Sequence, residues 1–184
     1  MTLSPNEAAD ALRDIAAVET RSRRVYGYRQ ASPHLILWGV LWAVGYGLTA
    51  LWPGRANPVW IAIVGIGLGA GFLFELSNAA RREAASRRWA FPAIALATLA
   101  FIAATLTVMA PVSGKQIGAF IPLVIAFGYV LRGIWGGLRF IVAGIVIAIL
   151  VLAGFFLLPA QFDLWMAAVG GGALILAGFW FRGV

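Results

Sequence analysis

Few side chains in this sequence are able to do chemistry. His34 is its one histidine, cysteine is absent and there are only seven acids. A metal site needs three or four ligands, which one imidazole cannot supply. The lack of cysteine removes disulfides, thiolate ligands and thiol nucleophiles together. An imidazole can sense pH, but His34 stands beside Pro33 at the edge of an apolar run, where a structural role is sufficient. Glu75 and Arg132 lie near the ends of apolar runs. An ion pair between them, or a proton-coupled role for Glu75, is the chemistry they offer. Both also lie close enough to an aqueous boundary to snorkel without any function. Asp163 has no evident partner. No nucleophile with a base, no paired carboxylates and no cofactor site emerge, so a membrane enzyme is the least supported reading.

Glycine spacing gives a second apparent signal. Gly65, Gly67, Gly69 and Gly71 resemble a phosphate-cradling loop, but that loop needs a preceding strand and an aqueous phosphate. Here the glycines fall inside an apolar segment. Small residues four apart let helix backbones approach closely. The same reading covers Gly39, Ala43 and Gly47, and Gly170, Gly171 and Gly172, so helix packing is expected at all ten positions.

The elements that hold these residues follow from composition. The chain is 62% hydrophobic and 11% charged, with a mean hydropathy of +0.91. Soluble domains carry about 25% charged residues, so lipid is the expected solvent for much of the surface. Apolar runs recur at 35–52, 58–76, 91–111, 116–135, 138–158 and 164–181. Each is near the length of about 20 residues that a spanning helix needs. Proline and glycine mark the breaks at Trp52-Pro53-Gly54, Pro111 to Gly114, Gly136-Gly137 and Pro159. Connections this short make neighbouring helices antiparallel. The expectation is an all-α bundle of six transmembrane helices, arranged as three hairpins over residues 35–184.

Charge gives the expected orientation. Of the 14 basic residues, all but Arg55 and Lys115 fall on one side of these spans, and basic loops stay cytoplasmic. Both termini are therefore expected inside. Arginine makes up nearly all of that basic set, which suggests a bacterial inner membrane. The net charge of +7 follows this topology, and no folded nucleic-acid reader is present to suggest another use. The clusters Arg21/Arg23/Arg24 and Arg81/Arg82/Arg87/Arg88 could also bind anionic headgroups.

Residues 1–34 form a different element. Ser4-Pro5-Asn6-Glu7 has the pattern of a capping box. At about 100° per residue, Ala8, Ala11, Leu12, Ile15, Val18, Val25 and Tyr26 share one face. An amphipathic cytoplasmic helix is expected, ended before the membrane by Ser32-Pro33. Its apolar face is shallow and contains Glu19, so protein contact suits it better than lipid. Leu12, Ile15 and Val18 are the partner-binding candidates. There is also a hint of internal repetition, since Trp60-x-Ala62-x-Val64-Gly65-x-Gly67 matches Trp165-x-Ala167-x-Val169-Gly170-x-Gly172. A duplicated hairpin would produce this, and so would the heavy reuse of these residue types in membrane helices.

Two functional expectations follow. One is a non-enzymatic scaffold, accessory or regulatory subunit in the bilayer, meeting a protein partner or a second copy through its glycine faces or amino-terminal helix. The other is a transporter. Six spans, an entry helix and a charged loop at 78–88 resemble the permease subunits of some ABC exporters, in architecture and without a shared motif.

Overall fold

A computed structural model describes the backbone over residues 5–79 and 90–183, with side chains from Leu12 onward apart from positions 75, 78–79 and 90–93. The described residues are helical and include no strand. Helix α1 (Pro5–Leu51) leads through a 3-10 turn (Pro53–Arg55) into α2 (Ala56–Ala79). Helices α3 (Ala90–Val108), α4 (Gly114–Gly136) and α5 (Leu138–Leu157) follow. The last helical run consists of α6 (Phe162–Trp165), a π-helical segment (Met166–Gly170) and α7 (Gly171–Arg182).

Five helical stretches are long and apolar enough to cross a membrane: Leu12–Leu51, Pro53–Phe74, Gly114–Gly136, Leu138–Leu157 and Phe162–Arg182. The expected span 91–111 corresponds to α3, whose apolar stretch is Ile94–Val108. Large apolar side chains remain on the outside, with Ile61 75%, Leu176 71% and Phe156 71% exposed. A monomer in water rarely shows so much apolar surface.

The first helix departs from the sequence-based expectation. Ser32-Pro33 does not end it, and α1 runs unbroken for 47 residues with Pro33 inside. An internal proline removes one backbone hydrogen bond and costs about 3 kcal/mol or more. Packing on both sides of it offsets that cost. Tyr28 before the proline and Leu35 after it are buried in the same core, and Ser32 is wholly buried. The Ser32 hydroxyl donates to the Gly178 carbonyl at 2.7 Å and accepts from the Arg182 Nε at 2.9 Å, both on α7. Helix α1 cannot bend away at Pro33 without breaking this contact.

Helix α4 begins at a sequence-local cap. The Ser113 side chain accepts from the Gln116 N–H, and the Gln116 side chain accepts from the Ser113 N–H. It ends at Gly136, and Gly137 turns the chain into α5 with a φ of 109° that L side chains rarely adopt. The core between α1, α4, α5 and the last helical run holds Leu35, Val151, Phe162, Met166, Leu174 and Phe181, each less than 2% exposed.

Candidate functional site: the amino-terminal arm and its socket

The amino-terminal part of α1 is a bare helix. Every residue from Leu12 to Arg24 is exposed, including Leu12 (67%), Ile15 (63%) and Val18 (66%). These three recur at helical spacing, so they form a stripe along one side. Glu19, flanking that stripe, forms a close ion pair with Arg23 one turn on. Both partners are largely in solvent, where such a pair contributes about 0.3–0.5 kcal/mol. Arg21, Ser22, Val25, Tyr26 and Arg29 line an open groove of about 340 Å³ near the base of the arm.

The arm is seated by Tyr28. Its ring lies 5.3 Å from Phe140 on α5 and 5.2 Å from Phe181 on α7. Its hydroxyl accepts from the Arg139 backbone N–H at 3.4 Å. That hydroxyl also lies against Gly137, in the space a Cβ there would need. One aromatic side chain thus fixes α1 to α5, to α7 and to the α4–α5 turn.

Beyond the socket, α1 runs antiparallel to α7 with the backbones almost touching. A Cβ added at Gly39 would lie 2.8 Å from the Gly171 carbonyl oxygen. One added at Gly171 would lie 2.8 Å from the Gly39 carbonyl oxygen and 3.0 Å from the Ala43 Cβ. Gly170 packs on Met166, and Gly67 lies under the Trp38 ring. A Cβ added at Gly47, Gly65, Gly69 or Gly172 would meet nothing within 4 Å, so those four pack against no neighbour among the described residues. Gly71 is buried. Close packing also occurs at glycines outside the repeating pattern. Gly144 meets the Ala126 carbonyl across α4 and α5, and Gly178 meets Ile36. Isolated glycines carry no spacing signal, and that is why sequence reasoning missed them.

Of the ionisable candidates, Arg132 lies with its guanidinium 5.5 Å over the Phe140 ring. His34 stands edge-on to Phe74 of α2 at 5.3 Å. These are separate contacts, and the two residues do not form one site. The Glu75 side chain lies outside the described residues, as do Ser4 and most of the loop 78–88.

The two tryptophans of the sequence repeat have similar settings. Trp60 packs on Gly45 and donates its indole N–H to Thr49 Oγ1 at 3.1 Å, both on the preceding helix. Trp165 packs on Gly154 and donates to the Leu150 carbonyl at 2.9 Å, again on the preceding long helix. After Trp60 the helix stays regular, whereas after Trp165 it widens into the π-helical segment. No family model, curated protein or solved structure matches this chain.

Proposed function

We propose that this chain is a multi-pass membrane protein with six spans, arranged as three hairpins, and with both termini in the cytoplasm of a bacterial inner membrane. It acts without catalysis, as a scaffold or accessory subunit that holds its amino-terminal arm out to a protein partner. The observation that carries this reading is the continuity of α1: one helix is locked into the bundle from Tyr28 onward and bare from Leu12 to Arg24. A stiff helix rooted in a bundle presents an apolar stripe at low entropic cost to the complex it forms.

Connectivity supports the sixth span. Helix α2 ends near the socket, where Phe74 meets His34, and α4 begins at the opposite end, where Gly118 meets Tyr46. The chain between them must travel the length of the bundle, and α3 is the element available to do so. The basic residues support the orientation, since Arg132, Arg139 and Arg182 all gather at the arm's end.

The test is purification of the intact protein in mild detergent with whatever accompanies it, beside a variant lacking residues 1–17 and a Leu12→Asp/Ile15→Asp variant. All three should accumulate in the membrane, and the two altered forms should lose the accompanying protein. If both altered forms keep every partner, the arm is not the docking element. An ATPase retained by all three would favour the permease reading.

A further inference from the structure

Four arginines from four different elements surround the arm's socket. Arg139 lies 5.5 Å over the Tyr28 ring and 4.8 Å over the Trp180 ring, and donates from Nη1 to the Trp180 carbonyl at 2.5 Å. Arg132 lies over Phe140 and reaches to within 4.0 Å of where a Cβ on Gly27 would be. The Arg24 Cδ is 3.5 Å from the corresponding point on Gly137. Arg182 uses its Nε on Ser32 and lies 5.8 Å from the Phe179 ring. The described acidic side chains are elsewhere: Glu19 is engaged by Arg23, Asp14 lies further out along the arm, and Asp163 is in α6 at the opposite end. The positive charge at the socket therefore has no carboxylate counterpart among the described residues.

We propose that this cluster is a receptor for the phosphate ester of an anionic glycerophospholipid. Guanidinium forks match phosphate oxygens in pairs, and aromatic faces beneath them hold the cations in place without consuming their N–H donors. The terminal nitrogens of Arg132 and Arg182 have no hydrogen-bond acceptor among the described residues. The apolar surroundings favour a lipid over a free anion: Trp135 is 77% exposed, Leu138 69% and Trp180 44%, all beside the arginines. A ligand with a phosphate head and an acyl tail satisfies both halves of such a site, and basic pockets between membrane helices bind lipid headgroups in this way. The site is assembled from α1, α4, α5 and α7, so a bound headgroup would tie the arm's root to the other three.

This inference rests on the membrane reading, but it can fail separately. Membrane topology is read by labelling in cells, whereas headgroup binding is read in detergent. Thermal unfolding of the purified full chain in a non-ionic detergent should be followed by tryptophan fluorescence with phosphatidylglycerol, phosphatidylcholine or inorganic phosphate added. Phosphatidylglycerol should raise the midpoint by about 5–10 °C at roughly a hundredfold excess over Kd, and the other two should not. Arg132→Gln with Arg139→Gln should abolish that shift. If this pair impairs folding, Arg24→Gln should still reduce the shift at least about twofold, with Arg55→Gln at the far end leaving it unchanged. An equal shift from phosphatidylcholine, or a full shift in the arginine variants, overturns the proposal. A shift from inorganic phosphate alone would assign the cluster to free phosphate and overturn the lipid.

Discussion

The Tyr46 hydroxyl of α1 donates to the Gly118 carbonyl of α4 at 2.5 Å, and that carbonyl is the one Pro122 leaves unpaired. A helical carbonyl accepts from the N–H four residues on, and Pro122 has none. The proline itself is buried inside α4. In the fold another helix of the same chain takes the carbonyl that Pro122 leaves free.

Tyr46→Phe should therefore destabilise the protein by about 1–3 kcal/mol, the cost of a buried acceptor without a partner. In a Pro122→Ala background, residue 122 regains an N–H to offer Gly118, and the same change should cost markedly less. A double-mutant cycle on thermal unfolding in detergent measures this coupling. Equal costs in both backgrounds would mean that Tyr46 acts only by packing.

Glycine substitutions should divide by contact and not by motif. Gly171→Ala and Gly39→Ala each force a methyl into a facing carbonyl at 2.8 Å. Both should lower the unfolding midpoint sharply, because neither backbone can yield alone. Gly65→Ala and Gly69→Ala enter open space and should be neutral, or stabilising by up to about 1 kcal/mol from helix propensity. Equal losses at all four positions would show that something outside the described residues covers the Gly65/Gly69 face.

At the α4–α5 turn two causes can be separated. Gly137→Ala meets both a positive φ and the Tyr28 hydroxyl, and should be among the most damaging single changes. Adding Tyr28→Phe removes the closest contact, the hydroxyl, but leaves the ring carbon Cζ at 3.0 Å and the backbone strain, so it should restore only part of the lost stability. Full restoration in detergent unfolding would assign the whole effect to the hydroxyl.

Topology is directly accessible because the chain has no cysteine. Single cysteines at Asn57, Ser113 or Gln161 should react with an impermeant maleimide from outside intact cells, and those at Ser22 or Gly136 should not. Labelling at Ser22 from outside would invert the proposed orientation.

Hydropathy and turn residues made the apolar helices legible, because lipid-length helices and proline or glycine breaks are local signals. The end of α4 at Gly136 was legible for the same reason. Continuity through Pro33 was not, because it depends on Ser32 meeting Gly178, 146 residues away. Local chemistry at Ser32-Pro33 points to a break, and tertiary packing overrides it. Arg132 lies over Phe140, a contact that no spacing rule anticipates. The exposure of Leu12, Ile15 and Val18 is what an amphipathic helix without a covering element displays.

The unbroken α1 also makes the arm a crankshaft. Successive residues on a helix are set about 100° apart, so a slip of one residue against α7 would swing the Leu12–Val18 stripe through more than a quarter turn. No joint at Pro33 absorbs that rotation. Whatever docks on the stripe is thereby geared to the seating of Gly39 on Gly171, a full bundle's depth away.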